Sequence, residues 1–457
     1  MNQVYEEINR RLLEMKDEIL AAIQESIAIP SVKGAPAPGA PYGEGPKQAL
    51  VHALELGEKL GFRTGSMADR VGWVEYGDGE EMAAVLGHLD VVPEGNGWTY
   101  PPFGGEIHDG KMYGRGVLDD KGPVIGAIYG LKALRDAGLK PERRIRVIFG
   151  TDEENGSSCV KYYVENGGEL PVIGFTPDAD YPLIFCEKGQ LGWTVRTGKT
   201  EGKISPALIR LEGGTARNVV TPACVLEVEG TLKVMPDEGI SVKVENGKTT
   251  VTATGKGAHG STPALGVNAA QKLLAAVDVS GLGEGMERIS RFVMEKIGTE
   301  TNGASLGICC RDEETGETTV NLGIVRGTPE EVSLTLDIRY PKSAHREQMI
   351  AQVKAAAAEY GLEAELESEG RLLYVPKDSE LVQKLMKVYR EQTGTEAEPA
   401  AIGGGTYAKA FENMVAFGPV FPGDEAMIHQ PDECEDVEKM LRSYQIAAAA
   451  MYEIASK

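Results

Sequence analysis

Along residues 1–187, apolar runs typical of β-strands alternate with segments whose apolar residues have helical spacing. The apolar runs MAAVLGHLDVV (82–92) and IRVIFG (145–150) predict buried β-strands, each followed by a polar loop. The segment GPVIGAIYGLKALRDAG (122–138) has helical spacing, with Gly138 just past its end as a stop signal. Strands that alternate with helices favour a largely parallel sheet with helices on its faces.

The pattern changes between residues 188 and 371. Segments such as QLGWTVRTG (190–198) and EEVSLTLDIRYP (330–341) alternate with period two, which is typical of antiparallel strands. Two segments with helical spacing interrupt them, GVNAAQKLLAAVDV (266–279) and HREQMIAQVKAAAAEYG (345–361). These residues therefore predict an α+β domain of their own.

The remaining residues, 372–457, read as helices again. We therefore expect an α/β protein in which residues 1–187 and 372–457 form one domain. That domain would hold a mixed, mostly parallel sheet flanked by helices. Residues 188–371 would be an α+β domain inserted into it.

Composition and charge narrow the class of protein. The chain has 47 basic and 69 acidic residues, and this net charge of -22 argues against nucleic acid as a partner. No apolar run is long enough to cross a membrane, and the mixed-charge N-terminus lacks a secretory signal. The six cysteines form no CxxC pair, which favours free thiols in a reducing compartment. We expect a cytoplasmic protein.

Ionisable residues gather where the predicted strands end. His88 and Asp90 follow an apolar strand with one residue between them, and His429 belongs to the C-terminal segment. Each acidic pair alone could lie in a solvated loop. At one edge of one sheet, however, so many carboxylates repel one another unless cations lie among them. Imidazoles and carboxylates suit zinc, with cobalt or manganese as substitutes. The acidic residues at the other strand ends are Asp119, Asp120, Asp152, Glu153, Glu154, Asp178 and Asp180.

Five of these segments, taken in order, resemble the motifs of the di-zinc aminoacylase/carboxypeptidase-type metallopeptidases. The branch that the chain resembles most is that of the peptidase V-like dipeptidases, also called Xaa-His dipeptidases. The resemblance spans nearly the whole chain. The motifs are GHLDVVP (87–93), GRGVLDDKGP (114–123), GTDEENGS (150–157), PDAD (177–180) and IHQPDE (428–433).

The resemblance implies a ligand set for two zinc ions. His88 and Asp178 would hold one ion, and Glu154 and His429 would hold the other. Asp119 would bridge the two.

It also implies the roles of the neighbouring residues. Asp90 would orient His88. Glu153 would be the general base that takes a proton from the attacking water and passes it to the leaving amine. Family members have a cis peptide after the bridging aspartate, so we expect one between Asp119 and Asp120.

The inserted domain resembles the family's lid and offers further candidates. His259 would polarise the scissile carbonyl, and Asn218 and Arg339 would bind the substrate's backbone and terminal carboxylate. Outside the inserted domain, Gly404 and Gly405 would present backbone groups to the same substrate. An ion pair on a strand is the structural alternative for Arg339.

The leading functional hypothesis is a metal-dependent dipeptidase whose partner is a small peptide substrate. A deacylase of N-acyl amino acids such as succinyl-diaminopimelate or acetylornithine is the alternative within the hydrolases. A non-catalytic, metal-dependent binding protein is the alternative of another class. The long lid resembles that of the peptidase V branch, where its extra part mimics a partner subunit. We therefore expect a monomer in which His259 acts in cis.

Overall fold

The structure is a computed structural model that describes residues 2–198 and 203–457. Its chain forms two compact units. Unit 1 consists of Met1–Cys186, Leu373–Ala400 and Gly405–Lys457, and unit 2 consists of Glu187–Leu372 and Ala401–Gly404. Both units combine sheets with helices, and the predicted α/β class is confirmed.

Among the described residues, α-helices account for much of unit 1 and for three segments of unit 2. The predicted stop at Gly138 is confirmed, because the fourth helix ends at Asp136 and Gly138 has a φ of 72°. None of the helices among the described residues is long and apolar enough to cross a membrane. The helices are α1 (Gln3–Glu14), α2 (Lys16–Ile27), α3 (Glu44–Lys59), α4 (Lys121–Asp136), α5 (Ser158–Glu165), α6 (Ala269–Ala276), α7 (Glu284–Phe292), α8 (Arg346–Ala358), α9 (Glu380–Thr393) and α10 (Val437–Ala455).

Strands form the sheets on which the helices pack. They are β1 (Arg63–Met67), β2 (Val71–Tyr76), β3 (Met82–His88), β4 (Glu106–His108), β5 (Lys111–Tyr113), β6 (Arg144–Gly150), β7 (Ile173–Thr176), β8 (Ala179–Asp180), β9 (Ile184–Glu187), β10 (Gly189–Arg196), β11 (Leu208–Gly213), β12 (Ala223–Glu229), β13 (Ile240–Glu245), β14 (Lys248–Thr254), β15 (Arg311–Asp312), β16 (Gly316–Glu317), β17 (Thr319–Gly327), β18 (Val332–Tyr340), β19 (Glu363–Gly370), β20 (Leu373–Tyr374), β21 (Ala400–Ile402), β22 (Met414–Ala416), β23 (Pro419–Val420) and β24 (Cys434–Asp436).

The main sheet of unit 1 has the strand order β1-β2-β6-β3-β7-β22-β9-β20. Its parallel part is the centre, where β3 pairs with β6 and β7, and β7 pairs with β22. Antiparallel pairs, β1 with β2, β2 with β6, and β22 with β9, flank this centre. All seven residues of β3 are buried, as expected for a parallel strand with both faces covered. The carboxyl ends of the central strands therefore share one edge.

Unit 2 is built on an antiparallel sheet with the order β13-β14-β12-β11-β17-β18-β10-β19. The two predicted helices are present as α6 and α8, and α7 is a third helix that was not predicted. Helix α7 is short and follows a glycine, but Met286, Ile289 and Phe292 are fully buried in the core of unit 2. Burial of this apolar face, rather than local propensity, stabilises such a short helix. All six cysteines are free thiols, as predicted.

Candidate metal centre and active site

Three of the predicted site segments begin at the shared edge of the parallel strands. His88 is the last residue of β3 and lies in register with Gly150, the last residue of β6. Glu153 follows β6 by three residues, and Asp178 follows Thr176, where β7 ends. Parallel pairing places these strand ends side by side, which is the usual position of chemistry in open α/β sheets.

The Asp119 carboxylate lies between two imidazoles. Its Oδ1 is 3.0 Å from Nε2 of His88, and its Oδ2 is 3.0 Å from Nε2 of His429. The peptide bond between Asp119 and Asp120 is cis, as the resemblance implied. One carboxylate thus faces one imidazole with each of its oxygens.

Two further carboxylates complete the group. Glu154 Oε1 lies 3.1 Å from His429 Nε2, and Asp178 Oδ2 lies 4.0 Å from His88 Nε2. One ligand atom each of His88, Asp119 and Glu154 lies within 4.8 Å of the others. The structure therefore brings all five predicted metal ligands into one cluster within unit 1.

His88 is held by hydrogen bonds at its ring and its backbone. Its Nδ1 is 3.0 Å from the carbonyl oxygen of Asp90, and a proton held there would leave the Nε2 lone pair available to a cation. Its backbone N–H donates to Oδ2 of Asp120 at 3.1 Å. That carboxylate approaches so closely that a Cβ on Gly87 would lie 2.3 Å from the same oxygen. Only glycine fits at position 87 without movement of Asp120.

The carboxylate of Asp90 does more than contact His88. Its Oδ1 is 3.6 Å from the His88 Nδ1, whereas its two oxygens accept the backbone N–H groups of Glu153 and Glu154 at 3.0 and 3.1 Å. Asp90 is fully buried. It therefore fixes the turn that carries the candidate general base and one candidate ligand.

Burial and like charge shift the pKa values of these carboxyls in different directions. Burial, followed by the neighbouring Asp119 charge, raises the pKa of Asp178 well above its ordinary value. Burial, with the charges of Glu154 and Asp90 beside it, raises the pKa of Glu153 to about 7. Although burial opposes it, hydrogen bonding to His429 and His88 holds the pKa of Asp119 below its ordinary value.

The donor set fits divalent cations. Two ligands of one tetrahedral zinc ion lie about 3.4 Å apart, given zinc–ligand bonds of about 2.1 Å. The contacts of 3.0–3.1 Å that join Asp119 to His88 and Glu154 to His429 are close to that separation. Burial, and then repulsion by Asp119, raises the pKa of Asp178, and a cation between these carboxylates would relieve that repulsion. His88, Asp119, Glu154, Asp178 and His429 are therefore a chemically consistent ligand set.

The candidates of the inserted domain lie in unit 2, where three of them are close together. The backbone carbonyl of Asn218 accepts the backbone N–H of Gly260 at 2.6 Å, next to His259, and His259 Nδ1 is 2.6 Å from the Ser261 hydroxyl. Both Asn218 and His259 are exposed. Partial burial of the His259 imidazole, and then the Arg339 charge, lowers the pKa of His259, which favours its neutral form.

Arg339 is a buried residue with defined partners. Its guanidinium donates to both carboxylate oxygens of Asp337, through Nε at 2.9 Å and Nη2 at 2.8 Å, and its Nη1 donates to the carbonyl of Gly403 at 2.9 Å. Arg339 therefore does form an ion pair with Asp337 on β18, as the structural alternative expected, and this pair is buried. Next to Gly403, Gly404 belongs to unit 2, whereas Gly405 belongs to unit 1.

Sequence reasoning assigned no role to three residues that support the cluster. Asp120 accepts the His88 N–H, Tyr407 lies with its ring edge-on to the His88 ring at 6.1 Å between centroids, and Glu433 binds the Asp119 loop. The signal was available for two of them, because Asp120 and Glu433 are charged residues within the five motifs. Tyr407 is an aromatic residue in a glycine-rich segment, and nothing in that local pattern indicates its contact.

A cavity of about 910 Å³ lies elsewhere, within unit 2. It runs beside α6 and is lined by Met235, Val267, Lys272, Met294 and Asn321, among others. None of the predicted site residues lines it. The cavity is therefore separate from the cluster of predicted metal ligands.

Comparison with known proteins gives consistent matches. A model of the family described as Peptidase family M20/M25/M40 matches residues 84–453. The Bacillus subtilis (strain 168) protein named "Putative dipeptidase YtjP" is 36% identical over 460 residues. That alignment covers 97% of this chain and 98% of the relative.

Solved structures share the fold over nearly the whole chain. Human carnosine dipeptidase 1 has a TM-score of 0.61 at 17% identity and covers 99% of both chains. Aminoacylhistidine dipeptidase from Vibrio alginolyticus has a TM-score of 0.60 at 15% identity, with 95% of this chain and 96% of that chain covered. At these identities the likeness concerns the fold.

Proposed function

This chain belongs to peptidase family M20/M25/M40, and from that premise we propose that it is a metal-dependent dipeptidase that hydrolyses the peptide bond of short peptides. The related Bacillus subtilis protein, 36% identical over almost its full length, carries a dipeptidase name. The family is metal-dependent, so the clustered ligands are interpreted as its metal site.

One observation carries the proposal. The Asp119 carboxylate reaches His88 with one oxygen and His429 with the other, each at 3.0 Å. Glu154 and Asp178 add one carboxylate beside each imidazole. This arrangement supports two cation positions that share Asp119: His88 and Asp178 would hold one ion, and Glu154 and His429 the other.

The cations would be zinc, with manganese or cobalt as replacements, because the set combines two imidazoles with hard carboxylates. When bound, such ions polarise the scissile carbonyl and lower the pKa of a water to near neutrality. The protein's contribution is to hold the ligands, place the base and bind the two ends of the substrate.

Glu153 is the proposed general base. Its backbone is fixed by Asp90, and its buried carboxylate is adjacent in sequence to the proposed ligand Glu154, a position suited to a group that takes and returns a proton. In this scheme a Glu153 oxygen accepts a proton from the attacking water and passes it to the nitrogen of the leaving amine.

Unit 2 supplies all the proposed substrate-binding groups except Gly405. His259, neutral because its pKa is lowered, would donate a hydrogen bond to the oxyanion that develops on the scissile carbonyl. Arg339 and Asn218 would bind the peptide's carboxylate and backbone, with Gly404 and Gly405 offering backbone groups. Asp337 and the Gly403 carbonyl hold the Arg339 guanidinium in place for that purpose.

Removal and return of metal tests the function. Chelator-treated protein is expected to lose hydrolysis of alanine- and glycine-containing dipeptides by at least about 100-fold, and zinc, cobalt or manganese should restore it. Dipeptides should be cleaved faster than N-acetyl or N-succinyl amino acids and faster than longer peptides. Rates over this panel, with metal content measured for each sample, provide the check.

The other outcomes separate the alternatives. If only N-acyl amino acids are hydrolysed, the metal site stands and the function is that of a deacylase. If the metal-loaded protein hydrolyses nothing in the panel, a non-catalytic metal-dependent binding protein is the better description.

We propose further that the chain acts as a monomer and that His259 serves the site of its own chain. Light scattering should then give the mass of one chain, 49.0 kDa. A mixture of His259→Ala and Glu153→Ala chains should stay as inactive as its components, because neither chain can supply the other's missing group. Recovery of activity on mixing, together with a dimer mass, would show that His259 acts across a dimer. A cytoplasmic location stays a prediction of the sequence.

A further inference from the structure

Glu433 is a buried carboxylate outside the proposed ligand set. The residue is fully buried, and its Oε1 accepts three backbone N–H groups, from Gly116 at 3.0 Å, Leu118 at 3.1 Å and Asp119 at 3.2 Å. A charge in the interior is tolerated only when it is paired and hydrogen-bonded. This concentration of donors on one oxygen shows that the loop before Asp119 is wrapped around the Glu433 carboxylate.

The other carboxylate oxygen of Glu433, Oε2, accepts a hydrogen bond from a buried arginine. Nη1 of Arg115 donates to Oε2 at 2.6 Å, and Arg115 is itself buried. The Arg115 guanidinium lies over the Trp98 ring, 5.3 Å from its centroid. Both oxygens of Glu433 are therefore fixed, and the carboxylate has a single orientation with respect to residues 114–119.

The backbone of Glu433 belongs to the segment that carries His429. Strand β24 begins directly after Glu433 and pairs with β5, with Cys434 opposite Tyr113. The ladder continues one step further, because the N–H of Gly114 donates to the Glu433 carbonyl at 2.9 Å. Residues 429–433, which precede β24, and residues 114–119, which follow β5, therefore lie side by side at one end of this small sheet.

These two segments carry ligands that must meet. Asp119 ends one and His429 begins the other, and their side chains are 3.0 Å apart. His429 has a φ of 63°, so its own backbone is in a conformation that ordinary residues rarely adopt. Its position needs support from outside its local sequence, and Glu433 is the residue that joins its segment to the Asp119 loop.

We propose that Glu433 is a positioning residue of the metal centre, whose carboxylate sets the Asp119 loop against the His429 segment so that both ions find their shared ligand in place. This inference rests on the proposed metal site. It assigns Glu433 no contact with substrate. Its loss should weaken metal binding first and lower turnover only as a consequence.

The test compares Glu433→Gln with Asp432→Asn. Glutamine keeps the size of the side chain and one acceptor oxygen, but it removes the charge that pairs with Arg115. Asp432 is the matched control, because it lies in the same segment and its carboxylate binds Thr99 at the protein surface, at 2.7 Å to both the backbone N–H and the hydroxyl. Asparagine also tolerates the positive φ of 59° at that position.

Metal-free protein is titrated with Co²⁺ and followed by visible absorption, with thermal unfolding recorded for each variant. Glu433→Gln is expected to lower the Co²⁺ affinity by about 10- to 100-fold and to change the absorption spectrum, as for other residues that orient metal ligands. Excess Co²⁺ should restore most of its dipeptide hydrolysis, which it would not do for a misfolded protein. Asp432→Asn should match the wild type in affinity and spectrum.

The possible results are distinguishable. If folded Glu433→Gln binds Co²⁺ with wild-type affinity and spectrum, Glu433 is a purely structural residue and the inference is wrong. If that variant fails to fold, Glu433→Asp, which keeps the charge but is too short to reach all its partners, undergoes the same comparison and decides the question. If the wild-type protein itself binds no Co²⁺, the proposed metal site fails and the role of Glu433 fails with it.

Discussion

Glu153→Gln is expected to lower kcat for a dipeptide by about 10²–10⁴-fold while metal binding is retained. Glutamine has the shape of glutamate and preserves the backbone N–H that donates to Asp90, so the turn at 153–154 should keep its conformation. It cannot accept a proton from water at neutral pH. Steady-state rates on metal-saturated protein, together with metal content by elemental analysis, are the measurements.

Glu165→Gln is the control for this change. Glu165 lies on α5 close in sequence, has an exposed side chain, and makes one long ion pair of 3.9 Å with Lys161. Its replacement should leave the rate unchanged. A Glu153→Gln enzyme with more than about a tenth of wild-type kcat would show that Glu153 is not the general base, even if the metal ligands are correct.

Asp119→Asn is expected to abolish high-affinity metal binding and, with it, at least about 99% of the activity. A neutral amide cannot supply the shared negative charge that both cations require. Its NH₂ group would also point at one of the two imidazoles that the Asp119 oxygens now face at 3.0 Å. Titration of metal-free protein with zinc or cobalt by calorimetry measures the lost affinity directly.

Asp180→Asn is the matched control, since Asp180 is an exposed aspartate of the same PDAD motif that holds Asp178. Metal affinity and rate should stay within about twofold of the wild type, as for surface changes in general. Two ions bound to Asp119→Asn with unchanged affinity would exclude Asp119 as the bridging ligand.

In the metal-free protein, the contact between Asp119 and His429 can also be tested through the pH dependence of stability. Hydrogen bonding to Asp119, and then to Glu154, raises the pKa of His429 to about 10. Because this is above the unfolded value of about 6.5, the stability that the contact provides is present below pH 6.5 and is lost as the pH rises towards 10. The difference in unfolding free energy between wild type and Asp119→Asn, measured by denaturant unfolding, should therefore shrink from about pH 6.5 to pH 10.

Much of the candidate site could be predicted from the chain because its ligands follow strands with a clear pattern. His88 ends a seven-residue apolar run, and the glutamates at 153 and 154 follow another. A buried strand is recognisable locally, and parallel strands must end at a common edge, so the meeting of these residues follows from general rules. The family resemblance then supplied roles that spacing alone does not give.

Some helices of the fold were predicted from the sequence, and one was not. Helical spacing predicted α4 in unit 1 and α6 and α8 in unit 2, whereas the short amphipathic α7 in unit 2 was not predicted. In the folded chain Met286, Ile289 and Phe292 of this helix are fully buried in the core of unit 2. Burial of this apolar face against the core, rather than local propensity, stabilises so short a helix.

By itself, then, the sequence determined which residue types stand at the ends of the strands, and hence that a cluster of imidazoles and carboxylates would form at one sheet edge. Only the tertiary structure decided which atoms meet. Asp90 turns its carboxylate to the N–H groups of Glu153 and Glu154, and Glu433 turns its own to the loop before Asp119. These contacts satisfy buried backbone donors, and the need for them arises only when distant segments exclude water from one another. These contacts therefore cannot be predicted from the local sequence around Asp90 or Glu433.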